Sequence, residues 1–378
     1  MSLTSDIKDF ALDLGYSKVG IAPAAGFPDH VEAVLSRREH YGFFIDNPQR
    51  NFTGGADPAA GLMPSAKSII SLVYDYATCA FPEKLLRCIG RIYLARCYLA
   101  PPQRINGSRH SLFLGFLRQQ GCEIGEGITL PERRAAARAG TATFGCNTFA
   151  YAEGSGSFIM LATFVVDKEL EYDAPNTEIP CPPGCSACMK ACPTGALHKP
   201  LHLNPYKCLA FNAWMNQEGR FPGADEHIPP EIREKMGTRV HGCDICQEAC
   251  PRNKAKLSQQ MPHDPFLDRI ADGFSLPELL SLSDEFYRTR VQPIMYNYIK
   301  HKKYFQRNAA VALGNLGDPR HVPDLEAALS NPEELVRGYA AWGLGRIGGK
   351  EARAALERAH GREQAAFPLA EIRAALAR

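Results

Sequence analysis

The stretch CPPGCSACMKACPTGAL, residues 181–197, places four cysteines within twelve positions and follows the last with proline. Cube-like iron–sulfur clusters are held by thiolates. The run C-x2-C-x2-C-x3-C-P of two-cluster ferredoxins gives three ligands to one cluster and its fourth cysteine to the other. Here the spacing is Cys181-x3-Cys185-x2-Cys188-x3-Cys192-Pro193, one residue longer in the first gap. A shorter echo, HGCDICQEACPRNK at 241–254, supplies Cys243-x2-Cys246-x3-Cys250-Pro251 and lacks a first member. Two four-iron clusters need eight thiolates, and Cys208 in PYKCLAFN is the sole cysteine between the two runs. The spacing therefore predicts Cys181, Cys185, Cys188 and Cys250 on one cluster, and Cys192, Cys208, Cys243 and Cys246 on the other. Structural zinc is the competing chemistry, but it usually takes paired CxxC knuckles well separated in sequence. The other five cysteines, Cys79, Cys88, Cys97, Cys122 and Cys146, read as small buried hydrophobes.

A chain of 378 residues is several times longer than such an electron carrier and has room for two or three domains. Apolar content of 45% and charged content of 22% are ordinary for a folded soluble protein. The net charge of +2 excludes a global field directed at nucleic acid or membrane, so any such surface must be local. The opening MSLTSDIKDFALDLGYSK has no signal-peptide core, and no run approaches eighteen apolar residues. Clustered CxxC spacing in a chain that keeps its thiols reduced points to metal ligation in the cytoplasm, without a membrane.

Three regions follow. Residues 1–175 mix helix and strand signals. SDIKDFALDLG reads as a helix capped by Ser5 and stopped by Gly15, and SKVGIAP as a short strand. SAKSIISLVYDYA (65–77) and SFIMLATFVVD (157–167) suit buried strands. TLPERRAAARAG (129–140) has capping-box spacing between Thr129 and Glu132, with Gly140 as its stop. Helices and strands without a regular βαβ rhythm predict an α+β or layered α/β domain. Residues 176–260 hold the cysteines and are punctuated by Pro and Gly. Residues 261–378 contain a repeat: AVALGNLGD at 310–318 aligns with AWGLGRIGG at 341–349, a period near that of two-helix HEAT units.

Two further features bear on binding. The loop EGSGS, Glu153 to Ser157, offers the backbone N–H groups around Gly154 and Ser155 to a cofactor phosphate or amide, although a simple turn explains it too. RTRVQPIMYNYIKHKKYFQR (288–307) sets Arg288, Arg290, Lys300, Lys302, Lys303 and Arg307 among four tyrosines or phenylalanines. Such a stretch either meets RNA phosphates and bases or is a helix with aromatics inside and cations in water.

With the cluster run set between an α+β region and a HEAT-like end, the chain resembles the epoxyqueuosine reductase family. The resemblance is collinear over nearly the whole length. It runs through GYSKVGIAPA, PSAKSIISLVYDY, RAAARAGTATFGCNTFAYAEGSGSFIML, both cysteine runs and FQRNAAVALGNLGD. It implies a cytosolic enzyme with two [4Fe-4S] clusters and cobalamin, which completes the queuosine base in tRNA. A first domain of nitroreductase-like type would hold the cobalamin, and a low-potential donor such as flavodoxin or ferredoxin would supply electrons. The family's acid is an aspartate shortly before the AG-containing helix, and counting back from Ala139-Gly140 the matching position is Glu126. The GKNT-like element reads Gly145-Cys146-Asn147-Thr148, which the resemblance assigns to the cobalamin and substrate side. An Arg-Asp-Tyr-His element is absent where YLARCYLAPPQRINGSRH stands. These departures leave room for a paralogue acting on a small organic halide or a corrinoid protein, or for an electron-transfer adaptor.

Overall fold

The computed structural model describes residues 2–47, 55–61, 63–95, 105–125, 130–176, 178–221, 223–295, 299 and 301–378. The first helix, α1 (Leu3–Asp13), starts one turn earlier than its sequence signal. Ser2, not Ser5, is the cap, and its hydroxyl accepts the Ser5 N–H at 3.3 Å. Gly15, with φ of +86°, ends it as expected.

The strands β1 (Lys18–Pro23), β2 (Ser68–Asp75) and β5 (Ile159–Val166) form a sheet in the order β1-β2-β5, antiparallel throughout. Antiparallel pairing resolves the layered expectation in favour of α+β. Side chains alternate across a strand, and β2 uses both faces. Ile70 and Leu72 pack with Ile7 and Ala11 of α1 and with Phe113 and Leu117 of a long helix. Ile69 and Val73 face the other way, against Leu130, Ala135 and Ala136. Helices α2 (Pro28–Leu35) and α3 (Arg38–Ile45) precede β2, α4 (Ile105–Gln119) is the long helix, and α5 (Glu132–Arg138) covers the second face. A small hairpin of β3 (Thr143–Phe144) and β4 (Ala150–Tyr151) leads into β5.

The cysteine region carries short helices and one more hairpin, β6 (Leu197–Lys199) with β7 (His202–Leu203). Beyond it the chain becomes helical: α6 (Lys302–Leu316), α7 (Val322–Ala328), α8 (Glu334–Ile347), α9 (Gly349–His360) and α10 (Ala366–Leu376). The sequence period reappears in space. A Cβ on Gly314 of α6 would sit 2.7 Å from Gly343 Cα of α8. Its repeat equivalent, Gly345 of α8, meets Ala375 of α10, where a Cβ would lie 2.6 Å from the alanine Cβ. Absence of a side chain therefore sets the helix spacing twice.

One apolar core joins Leu85, Ile89 and Leu94 of the first region, Leu209, Ile228, Ile232 and Met236 of the cysteine region, and the repeats from Tyr304 to Ile372. The basic stretch at 288–307 feeds this core. Arg307 is fully buried and donates to the carbonyls of Asn216 (2.7 Å), Glu226 (2.6 Å), Asn212 (3.1 Å) and Ala213 (3.3 Å). Tyr304 and Phe305 are buried too, Lys303 pairs with Glu226 at 2.7 Å, and Lys302 pairs with Asp284. Much of that stretch is thus structural, and Lys300 lies outside the described residues. Among the described residues no helix is long and apolar enough to cross a membrane.

Candidate functional site

Both cysteine runs fold around short helices that carry cysteines within them and beside their ends. Cys188 sits within the helix Ala187–Ala191 and Cys192 at its end. Cys208 is the residue before the helix Leu209–Trp214. Cys243 precedes the helix Ile245–Glu248, which contains Cys246, and Cys250-Pro251 follows. Free N–H groups at helix starts and tight turns point at sulfur. Burial raises the Cys208 thiol against the pull of the Phe211 and Ala210 N–H groups. At Cys192 burial works upward as well, but the Leu197 N–H, the Thr194 side chain and further N–H groups prevail and hold the thiol below its ordinary range.

Cys181, Cys185, Cys188 and Cys250 line a common cavity. The other four thiols act on one another: Cys208 feels Cys192, Cys243 feels Cys208, and Cys246 feels Cys243, Cys208 and Cys192. The chain thereby brings these cysteines together in two groups of four, each drawing on both runs. Among the described residues no three His, Cys, Asp or Glu side chains are tight enough to hold a single metal ion. The first four thiols frame a space instead. Sulfur donors met by backbone N–H groups fit a multi-iron cluster, whose charge those dipoles offset.

Beside the quartets lies a cavity of about 1190 Å³, beyond the ~300–1,000 Å³ usual for small-molecule sites. Both regions build it. His30, Val34, Arg37 and Tyr41 come from α2, α3 and their junction, Glu132, Arg133, Arg134 and Arg138 from α5, His110 from α4, and Leu201, Leu203 and Pro205 from the cysteine region. Arg37 donates to the Leu201 carbonyl and Tyr41 to that of Leu203, both at 3.2 Å, tying the helices to the β6–β7 hairpin. Burial, with Arg134 and Arg133 adding repulsion, pushes His30 down to about 4, so it is neutral at pH 7. Burial pushes the Glu132 carboxyl up to about 7 despite the pull of Arg133. The side chain still meets the water of the cavity. Tyr41 is raised by burial and, to a smaller extent, by the Cys208 thiol, which places the second quartet close behind this wall.

The segment 144–148 separates the large cavity from the first quartet. Phe144 and Thr148 face the large cavity, while Cys146 and Asn147 face the thiols. Cys146, which the resemblance assigns to the cobalamin side, thus lines the thiol cavity and not the large one. Its N–H points at Cys181 Sγ at 3.5 Å, and burial, with Cys181 next, raises its thiol to about 11. Thr148 holds φ at +70°, a costly conformation for a β-branched residue.

The EGSGS loop does not reach the large cavity. Gly154 borders a separate depression with Lys18 and Glu153, and the N–H groups of Ser155 and Gly156 both turn inward to the Ala152 carbonyl, at 3.3 and 2.9 Å. These two N–H groups are spent within a tight turn. The turn docks instead on the second cysteine run. A Cβ on Gly156 would collide with Asn253 Oδ1, at a backbone φ of +61°. Arg252 adds a second grip, donating to the Phe144 carbonyl at 2.8 Å and to Thr143 Oγ1 at 2.6 Å.

Glu126 and Thr129 lie outside the described residues. Spacing marked Glu132 only as a capping residue and gave no signal at His110. The signal for the arginines was present, because PERRAAAR sets Arg134 and Arg138 one helical turn apart. His110 ends the stretch where a family element is missing, and its neighbours concealed it.

Residues 181–253 match the family of the 4Fe-4S double cluster binding domain, and residues 298–377 match HEAT repeats. Over 372 residues the chain is 30% identical to the epoxyqueuosine reductase of Pseudomonas aeruginosa, covering 92% of this chain and 95% of that relative. The chain belongs to the epoxyqueuosine reductase family. The family's Bacillus subtilis enzyme is 29% identical over 376 residues, 96% of this chain and 92% of its own. A solved structure of the B. subtilis epoxyqueuosine reductase, with its catalytic loop swung out of the active site, superposes with a TM-score of 0.81 at 28% identity. It covers 99% of this chain and 98% of that one. An epoxyqueuosine reductase bound to an epoxyqueuosine-modified tRNA stem loop gives 0.80 at the same identity and coverage. The mixed helix–sheet fold, the double-cluster region and the repeats are thus those of epoxyqueuosine reductases.

Proposed function

We propose that this chain is an oxidoreductase that converts epoxyqueuosine to queuosine in tRNA. The observation that carries the reading is the large cavity built jointly by the α+β region and the cysteine region, in a chain collinear with epoxyqueuosine reductases. Removing an epoxide oxygen to leave an alkene takes two electrons and two protons and releases water. Electrons must arrive one at a time from a low-potential donor such as flavodoxin or ferredoxin, and the two cysteine quartets are the ligand sets for two [4Fe-4S] clusters on that path.

Cobalamin suits the cavity's size and mixed apolar and cationic walls, and when bound it supplies the low-valent cobalt chemistry that opens the epoxide. The first region, of nitroreductase-like type, holds it within residues 1–175. Residues 176–260 carry the clusters and residues 261–378 the repeats. Thr148 borders the cofactor, while Cys146 and Asn147 form the wall behind it. Arg37, Arg133 and Arg134 offer cations to the cofactor's amides or to tRNA phosphates. Glu126 delivers a proton to the leaving oxygen, and the protein works in the cytoplasm on tRNA.

Anaerobic reconstitution with iron, sulfide and hydroxocobalamin tests the whole. The expected result is about eight irons, stoichiometric cobalamin, and conversion of epoxyqueuosine-containing tRNA after reduction. A reduced, fully loaded protein that leaves that tRNA unchanged would falsify the assignment.

A further inference from the structure

Tyr151 stands at the edge of the first cysteine quartet with its ring beneath the Arg252 guanidinium, 4.0 Å from the ring centre. Its hydroxyl oxygen accepts a hydrogen bond from Asn147 Nδ2 at 2.8 Å. The orientation of that amide is fixed from both ends. Nδ2 also donates to the Cys246 carbonyl at 3.3 Å, and Oδ1 receives the Phe149 N–H at 3.4 Å. A flipped amide would set oxygen against oxygen and N–H against N–H.

The phenol's own proton must therefore go elsewhere, and Cys250, which lines the same small cavity as Tyr151, is one acceptor, with Ser157 as its competitor. Ser157 already gives its proton to Gln247 Oε1 at 2.8 Å and accepts from Asn253 Nδ2 at 2.8 Å. It is a neutral acceptor with one lone pair remaining. Cys250, as a cluster thiolate, is anionic, and hydrogen bonds to ionised acceptors are roughly twice as strong.

Resting on the reading that the quartets hold two clusters, we infer that Tyr151 is a potential-setting residue. Its hydroxyl, aimed by Asn147, donates to the Cys250 thiolate and raises the reduction potential of the first cluster. An added electron makes the cluster more negative, so a donor at its sulfur stabilises the reduced state more than the oxidised one. The first quartet lies behind the 144–148 wall of the large cavity, as the second lies behind the wall at Tyr41. Tyr151 thus favours residence of the electron on the first of the two. The side chain forms no bond to substrate and acts only through the thiolate.

The test is an EPR-monitored redox titration of the anaerobically reconstituted full chain, wild type against Tyr151→Phe. Iron content is expected to stay at about eight. One cluster's midpoint should fall by up to about tenfold in its one-electron equilibrium, about 59 mV, while the other stays in place. Asn147→Ala should lower the same cluster by less, because the hydroxyl can then turn toward Ser157. Fluorotyrosine at position 151, a stronger donor on an unchanged scaffold, should shift that cluster upward and decides the matter if Tyr151→Phe loses iron. Unchanged potentials in the phenylalanine and fluorotyrosine proteins, or equal shifts of both clusters, overturn the inference. A wild-type protein that binds no clusters fails at the earlier step and removes the reading beneath it.

Discussion

Asn253 and Ser157, ninety-six positions apart, hold each other by two hydrogen bonds. The Ser157 N–H donates to Asn253 Oδ1 at 2.9 Å, and Asn253 Nδ2 donates to Ser157 Oγ at 2.8 Å. Asn253 is fully buried and also donates to the Gln247 carbonyl at 2.8 Å. This joint fixes the second cysteine run on the turn between β4 and β5. Asn253→Ala strands at least two buried polar groups and should cost about 2–4 kcal/mol. Urea denaturation of the apoprotein measures that loss, and iron retention after reconstitution should fall with it.

Cys208 and Cys146 offer a direct contrast. Cys208 lies outside both runs yet joins the second quartet, whereas Cys146 touches the first quartet without being needed for its count. Cys208→Ser should reduce bound iron from about eight to about four per chain, and Cys146→Ser should leave it at about eight. Iron and sulfide assays on the two variants check this, and equal iron loss in both would refute the ligand sets.

Arg307 supplies donors to four carbonyls in a fully buried place. Replacing it with methionine keeps much of the volume but leaves those carbonyls unmet. The expected destabilisation is about 3–5 kcal/mol, as for other broken buried charge networks. A thermal melt lowered by only a degree or two would contradict the structural role.

Glu132 makes stability depend on pH in an unusual direction. Its carboxyl, pushed up to about 7 by burial, holds a proton more tightly folded than unfolded. The folded state therefore gains most below the ordinary carboxylate pKa of ~4.3 and loses that gain as pH rises toward about 7. Glu132→Gln should flatten the fall in stability between pH 5 and pH 8. Contact with the cavity's water keeps the effect modest. Denaturant titrations at the two pH values, wild type against variant, give the comparison.

Much of this was legible in the chain itself. The quartets follow from ligand count and spacing, and the repeat period from small residues that later prove to be helix contacts, as at Gly314 and Gly343. Local signals failed where tertiary partners decide. Ser5 looks like a cap, but Ser2 takes the role because the helix extends one turn further. EGSGS has the composition of a phosphate cradle, yet its N–H groups close on Ala152 and its Gly156 makes room for Asn253. The basic run at 288–307 carries the right residues for RNA, but Arg307 finds carbonyls from a segment some ninety positions earlier. Asn253 and the carbonyls met by Arg307 are not visible from within the stretches concerned.

The interleaving of the quartets has a consequence for biosynthesis. Neither proposed ligand set is complete until the ribosome has passed Cys246 and Cys250, and at ~5–20 residues per second that leaves roughly 3–12 s after Cys192 emerges. Four thiolates, and five once Cys208 is made, are displayed meanwhile with no site to close. The order of the chain therefore acts as a timer: iron delivered early meets only fragments, and loading waits for the second run, with the repeats still to be added to the same core.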